Sequence, residues 1–196
     1  ARVAAPTLGV GRAAGEGKAG FRQREWQTYD GNFVPPSLDC SEVPPCLVIG
    51  PYPQTTEDVE LMRAKGVTGV VNVQTDEDHR HRMVDWGAME ARYRAAAIDV
   101  VRVPIQDFNG RELALKVKAG ACAVYDLVQA ALRRGREPKI YIHCTAGMGR
   151  APAVACVYLV WKRGFSLGKA LEHVKAHRPV SAPNWGAMEE ALRQGL

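Results

Sequence analysis

The segment from Lys139 to Val154 restricts the fold more than any other part of the chain, because it joins the patterns of a strand, a tight loop and a helix. An apolar run at 140–142 leads into an octet, His143-Cys144-Thr145-Ala146-Gly147-Met148-Gly149-Arg150. Pro152 follows shortly after, at a position that suits the first turn of a helix. The segment therefore predicts a loop at the carboxyl end of a strand, followed directly by a helix.

The octet has the residue types of an anion-binding loop. Backbone N–H groups of a tight loop and of a helix N-terminus can converge on one anion. We expect Gly147 and Gly149 to supply the unusual backbone angles that such a cradle needs. Arg150 can donate two parallel hydrogen bonds to phosphate oxygens, and the same positive field favours the thiolate form of Cys144. A thiolate beneath a bound phosphate can attack the phosphorus atom.

Two alternative interpretations of the octet fit less well. Taken alone, Cys144 would be a small buried hydrophobe at the end of a strand, as free cysteines often are. That role would need neither the two glycines nor an arginine six positions later. A nucleotide-binding loop also matches poorly, because no Gly-Lys-Ser/Thr sequence closes it. The octet therefore predicts a phosphate site with a nucleophilic cysteine.

Strand and helix patterns alternate along the chain before the octet. Apolar runs predict strands at 46–49, 67–73, 98–103 and 140–142, with a charged loop at 74–82. Helices are predicted from 55–58 to Gly66 and at 85–96, 113–134 with an interruption at Gly120, 152–163, 166–177 and 185–192. This alternation predicts an α/β fold with a central, mostly parallel sheet flanked by helices.

Charge and composition narrow the classes of partner. The formal net charge is +5, and residues 1–24 carry five basic side chains against one acidic one, a net of +4. Subtracting that tail leaves +1 for the remaining residues, so we expect no nucleic-acid-binding face. The tail, rich in Ala, Gly and Arg, resembles the end of an organelle transit peptide, and a disordered leader is the alternative. Residues 25–196 have the length of one catalytic domain.

Cysteine usage and hydropathy exclude several further classes. The five cysteines are odd in number and lack paired spacing, which argues against a disulfide framework. No Cys-x-x-Cys or Cys/His cluster points to a metal, and we expect no cofactor. No apolar run approaches the length of a membrane span, so we expect no membrane partner. A monomer is expected.

A phosphate ester also needs a proton donor for its leaving oxygen. Asp107 directly follows a predicted strand, which places it at the sheet edge where the octet begins. The following Asn109-Gly110 is equally compatible with a simple turn aspartate. Three other aspartates are weaker candidates because they lie in the charged loop or within a strand: Asp76, Asp78 and Asp99.

The octet resembles the His-Cys-x5-Arg signature of the protein tyrosine phosphatase superfamily, and the short chain resembles its dual-specificity branch. The resemblance implies that Cys144 is the nucleophile and Asp107 the general acid. It also implies that the phosphate is held by Arg150 with the rest of the loop, His143, Thr145, Ala146, Gly147, Met148 and Gly149. Enzymes of this family use no metal.

Within that branch, the chain is similar to plant and algal glucan phosphatases. The similarity lies in the sequences at 145–152 and 103–108, in Asp85-Trp86-Gly87, and in the segments 46–54 and 175–179. Ala151 follows the arginine where many phosphatases have Ser or Thr, and those glucan phosphatases share it. The resemblance implies phosphorylated α-glucan such as starch as substrate, and a plastid location.

Aromatic and apolar side chains near the octet would then contact sugar rings, whose flat apolar faces stack on such side chains. The candidates are Trp86, Phe108, Met148 and Tyr29. Core packing is an equally good role for Tyr29. Two other functions remain open, a protein Ser/Thr/Tyr phosphatase and a catalytically silent glucan-binding scaffold.

Overall fold

Residues 38–195 are described by a computed structural model of the chain. The strands are β1 (Ser41–Val43), β2 (Leu47–Gly50), β3 (Gly69–Asn72), β4 (Asp99–Arg102) and β5 (Ile140–His143). The helices are α1 (Thr56–Ala64), α2 (Asp76–Arg82), α3 (Trp86–Ala95), α4 (Gly110–Arg133), α5 (Arg150–Arg163), α6 (Leu167–His177) and α7 (Trp185–Arg193). No helix within 38–195 combines the length and the apolar character needed to cross a membrane.

The strands form one sheet in the order β1-β2-β5-β3-β4, in which β1 alone is antiparallel to its neighbour. This architecture confirms the predicted α/β class. His143 at the end of β5 is in register with Gly50 of β2 and Asn72 of β3, so three parallel strands end level with one another. The segments that follow these strands therefore meet at one edge, beside the octet.

The two faces of the sheet are buried by different helices. On one face, alternate strand residues pack with α4, α5, α6 and α7, which form the larger core cluster. On the other face, Val48, Val70 and Tyr141 pack with side chains of α1 and α3. Because both faces are covered, the middle residues of the parallel strands are apolar on both sides, and the polar residues lie at strand ends.

The segment 74–82 was predicted as a loop, and this prediction is wrong. It contains α2, which Thr75 caps: the Thr75 hydroxyl accepts from the Asp78 N–H at 3.1 Å, and the Asp78 carboxylate accepts from the Thr75 N–H at 2.8 Å. Acidic residues occupy the first turn and basic residues the last, which suits the helix dipole. The seven residues of α2 are all charged or polar, so the segment lacks the apolar stripe by which a helix is usually predicted.

The predicted interruption of the long helix at Gly120 is also wrong, because α4 continues through it. Gly120 is buried where α4 packs against α5, and a Cβ atom there would lie 2.6 Å from Cγ2 of Val154. The missing side chain therefore allows close contact between the two helices, and α5 begins with Arg150 of the octet. Gly120 therefore allows α4 and α5 to pack closely and does not interrupt α4.

We expect Gly120→Ala to lower the free energy of unfolding. Overpacking costs about 1 to 3 kcal/mol, which outweighs the helix propensity of alanine, worth about 1 kcal/mol. Gly168 is a matched control, because it also lies in a helix and nothing lies within 4 Å of its Cβ position. Urea unfolding should show a loss for Gly120→Ala and no loss for Gly168→Ala; equal effects would contradict the packing role.

Some sequence predictions fall on residues that the structure does not describe. These are the leader at 1–24 and the sugar contact assigned to Tyr29, which lie outside 38–195.

Candidate active site

The octet forms a loop between β5 and α5, as its sequence pattern predicts. Cys144 follows the last residue of β5 and is 3% exposed. The Gly147 N–H donates to its Sγ at 3.2 Å. Gly149 is the N-cap of α5 and brings no side-chain cap, so the first N–H groups of α5 remain available to an anion. A backbone donor of the loop thus reaches the sulfur, and the helix that follows begins without a side-chain cap.

Of the two glycines in the loop, Gly147 alone requires its missing side chain. Its φ is 67°, and a Cβ atom would lie 2.4 Å from the backbone of Gly50. Gly149 has a φ of −109°, which other residues adopt, so its predicted backbone role is wrong. What Gly149 contributes is the absence of a capping side chain.

Arg150 donates five hydrogen bonds from its two terminal nitrogens and is 3% exposed. Its Nη1 donates to Asp78 Oδ2 at 2.7 Å and to the Ile105 carbonyl at 2.9 Å. Its Nη2 donates to Asp107 Oδ2 at 2.9 Å, to Thr145 Oγ1 at 3.1 Å and to Asp78 Oδ1 at 3.2 Å. Its buried Nε has no hydrogen-bond partner within the described residues.

Asp78 differs from the other weak acid candidates, because it belongs to the site. Burial would raise the pKa of its carboxyl, but hydrogen bonds from Arg150 and Thr75 outweigh burial and lower the pKa. An aspartate held in this way is a poor proton donor. Asp76 pairs with Arg102 at the surface, and Asp99 lies at the opposite edge of the sheet, at the start of β4.

Asp107 lies in the loop between β4 and α4, with its side chain 41% exposed. The next residue, Phe108, is 99% exposed and adopts a left-handed backbone with φ of 56°. This conformation is strained for a bulky residue, and such strain is often found at functional sites. Asn109 caps α4 by accepting from the Glu112 N–H at 3.0 Å, which ends the loop. The loop thus places a carboxylate against Arg150 and an aromatic ring in solvent.

His143 is buried beneath the loop and uncharged. Burial, as the largest cause, lowers its pKa to about 3. Its Nδ1 faces the Cys144 carbonyl at 3.4 Å, and its Nε2 has no partner within residues 38–195. A neutral ring in this position can orient the strand end, but it adds no positive charge beside the sulfur.

Arg178 is a site residue to which the sequence analysis gave no role. It follows α6 and is 2% exposed, and its Nε donates to the Gly147 carbonyl at 2.8 Å while Nη2 donates to the Ala146 carbonyl at 3.3 Å. The Ala182 N–H donates to the Met148 carbonyl at 2.7 Å. These bonds hold the carbonyls of the loop on its outer side. An arginine after a helix, without a nearby acidic residue in sequence, was the available signal.

The predicted sugar contacts differ in how they are exposed. Phe108 is 99% exposed and Met148 is 44% exposed, so both side chains face solvent at the site. Trp86 is the first residue of α3, within the segment 85–96 that was predicted to be helical. Its ring stacks on His79 with a centroid distance of 5.4 Å and lies 5.0 Å from the Arg102 guanidinium carbon. Trp86 therefore contributes to packing against α2, and its contact with sugar stays a prediction.

The site thus combines a buried cysteine, whose sulfur accepts a backbone N–H of its own loop, with a buried arginine at the start of the following helix. Residues 47–194 match the family model of the dual specificity phosphatase catalytic domain. The chain belongs to this family and is a cysteine-based phosphatase.

The similar proteins include both a phosphoglucan phosphatase and other dual specificity phosphatases. The chain is 34% identical to an amyloplastic phosphoglucan phosphatase of Castanea sativa over 135 residues, 68% of this chain and 35% of that one. It is 33% identical to human dual specificity phosphatase 28 over 166 residues, 82% of each chain. The crystal structure of a mouse putative dual specificity phosphatase, complexed with zinc tungstate, has 29% identity and a TM-score of 0.59, covering 83% of this chain and 88% of that one.

Proposed function

We propose that the protein hydrolyses phosphate monoesters on phosphorylated α-glucan through a phosphocysteine intermediate. In the first step the Cys144 sulfur attacks phosphorus, the bond from phosphorus to the sugar oxygen breaks, and Asp107 gives its proton to that oxygen. In the second step Asp107 accepts a proton from water, whose oxygen attacks phosphorus and displaces the thiolate. Atoms and charge balance with water as the only co-reactant.

The loop and Arg150 stabilise the charge of the transferring group in this mechanism. Backbone N–H groups of the loop and of the α5 N-terminus donate to the equatorial oxygens, with no side-chain cap in competition. Arg150 donates from Nε, which has no partner within 38–195, and from Nη2. Many phosphatases have a Ser or Thr hydroxyl directly after the arginine, where this chain has Ala151. The loop nevertheless contains one hydroxyl, that of Thr145, whose Oγ1 lies 3.1 Å from Arg150 Nη2.

The observation that carries the glucan proposal is Phe108, a fully exposed aromatic ring directly beside Asp107. An exposed ring next to the phosphate site offers a flat face to a sugar, and Met148 adds apolar surface from the loop. The similarity to the chestnut phosphoglucan phosphatase supports the same substrate class. Because that relative is amyloplastic, we also propose a plastid location and a role in starch metabolism, with residues 25–196 as a single catalytic domain acting as a monomer.

A protein phosphatase is the second candidate function. It is favoured by human dual specificity phosphatase 28, which aligns with 82% of both chains. The exposed ring of Phe108, next to Asp107, would then contact a peptide. The two candidates differ in substrate alone, since the chemistry at phosphorus is the same.

Substrate choice is tested by comparing phosphate release from amylopectin with release from a phosphotyrosine and a phosphothreonine peptide. We expect amylopectin to be the best substrate. Phe108→Ala should lower kcat/KM on amylopectin by about 3- to 10-fold, because an aromatic contact contributes about 0.5 to 1.5 kcal/mol. The same variant should leave turnover of a small aryl phosphate unchanged.

Phe108→Tyr is the matched control, since it keeps a ring at the same position. Retained activity of Phe108→Tyr on amylopectin, together with a loss in Phe108→Ala, supports sugar stacking. Faster release from the phosphopeptides than from amylopectin would contradict the glucan proposal and favour the protein phosphatase. Binding of amylopectin without release of phosphate would support the silent scaffold.

A further inference from the structure

Asp78 makes a partly buried ion pair with Arg150 that the catalytic steps do not use. Its two carboxylate oxygens accept from the two terminal nitrogens of Arg150, at 2.7 Å and 3.2 Å. The Asp78 side chain is 16% exposed and that of Arg150 is 3% exposed. A planar pair of this kind fixes the direction of a guanidinium as well as its charge.

Hydrogen-bond counting shows which edge of Arg150 remains for a ligand. Nη1 carries two hydrogens, and Asp78 Oδ2 and the Ile105 carbonyl accept both. Nη2 has three acceptors within 3.2 Å for its two hydrogens, so it can exchange one of them for a ligand oxygen. Nε has no partner within the described residues. The edge formed by Nε and Nη2 is therefore the one that can receive a phosphoryl group.

The position of Asp78 is itself tightly fixed. Its carboxylate accepts from the N–H of Thr75 at 2.8 Å and from the Thr75 hydroxyl at 2.9 Å. The Thr145 hydroxyl, in the phosphate loop, also donates to Asp78, at 3.2 Å. The next residue, His79, is buried and stacks on Trp86, which holds α2 against the body of the domain. The carboxylate is thus held from its own helix and from the loop.

We propose that Asp78 is a positioning residue, which holds Arg150 so that its Nε and Nη2 edge faces the phosphoryl group. When a phosphate arrives, its oxygens take Nε and the Nη2 hydrogen now shared with Asp107, while Asp78 keeps the far edge. Asp107 is then released from Arg150 and is free to serve the leaving oxygen. This inference rests on the proposed phosphatase chemistry and deepens it, because it names the group that aligns the arginine.

The test variant is Asp78→Asn, which keeps an oxygen for the Thr75 N–H but removes the charge and the second acceptor. We expect kcat/KM on an aryl phosphate to fall about 10- to 100-fold, since misdirected donors lose that much transition-state stabilisation. Asp76→Asn is the matched control, two residues earlier on α2, where the carboxylate pairs with Arg102 at 2.6 Å. It should retain wild-type turnover.

A second readout separates positioning from mere support of the fold. In an Arg150→Lys background, where no fork remains to be aligned, adding Asp78→Asn should have at most about a 2-fold further effect on kcat/KM. Urea unfolding of each variant reports on folding. An Asp78→Asn protein with wild-type kcat/KM, or with a full additional loss in the Arg150→Lys background, would overturn the inference.

Binding of inorganic phosphate to Cys144→Ser protein keeps the inference separate from the function. Adding Asp78→Asn should weaken this binding about 10-fold in calorimetry, whether or not the wild-type protein turns over an ester. Weakened phosphate binding without any wild-type turnover would reject the proposed function and retain the inference. Unchanged phosphate binding together with normal wild-type turnover would reject the inference about Asp78 and retain the proposed function.

Discussion

Cys144→Ser protein is expected to lose phosphatase activity by at least about 10⁴-fold on every ester that the wild-type protein hydrolyses. A serine hydroxyl at this position would need a base to remove its proton. The nearest ring, His143, has its Nδ1 against the Cys144 carbonyl rather than the sulfur. The backbone donors that suit a thiolate, such as the Gly147 N–H at 3.2 Å, cannot take a proton from a hydroxyl. The loss should therefore appear in kcat.

Cys122→Ser is the control for this substitution, because it makes the same chemical change at an exposed position on α4. It should keep full activity. Phosphate release in the first turnover, measured by rapid quench, should disappear in Cys144→Ser and persist in Cys122→Ser. A packing change alone would alter the rate by no more than about 10-fold. Turnover by Cys144→Ser within that range of the wild-type rate would therefore refute the assignment of the nucleophile.

Asp107→Asn is expected to lower kcat/KM, which reports formation of the phosphocysteine, by about 10² to 10⁴-fold on a sugar phosphate, the usual contribution of a general acid. A sugar alkoxide is a poor leaving group and needs the proton, whereas a nitrophenolate leaves readily without it. The loss should therefore be much smaller on p-nitrophenyl phosphate.

The exposed Asp126 on α4 provides the control, since Asp126→Asn removes the same charge outside the site. Its kcat/KM should equal that of the wild type on both esters. An equal loss on both esters in Asp107→Asn would contradict the role of proton donor. It would instead assign Asp107 a role in holding Arg150, to which it is bonded at 2.9 Å.

The sequence predicted the parts of the site that are contiguous in the chain. Strand, loop and helix around Cys144 could be inferred because local spacing determines them. Asp107 could be inferred because it follows a strand that ends at the same edge. The sheet class followed from the alternation of apolar runs with helical segments.

The parts of the site that pair across the fold could not be predicted in the same way. Asp78 lies 72 residues from Arg150, and nothing in a single sequence records that their side chains meet. The Thr75-x-x-Asp78 spacing is typical of a helix cap, but α2 is so polar that its sequence has no apolar periodicity to indicate a helix. Gly120 looked like a break because only its contact with Val154 on another helix explains it.

The bonds of Arg178 make the loop depend on both ends of the described chain. Arg178 follows α6, reaches back to the carbonyls of Ala146 and Gly147, and its Nη1 donates to the Asp39 carbonyl before β1, 139 residues away. The loop thus takes its shape from segments that meet only once the domain is assembled. Turnover is therefore a reporter of cooperative folding: partial unfolding at either end should silence the enzyme while Cys144, Asp107 and Arg150 are all still present.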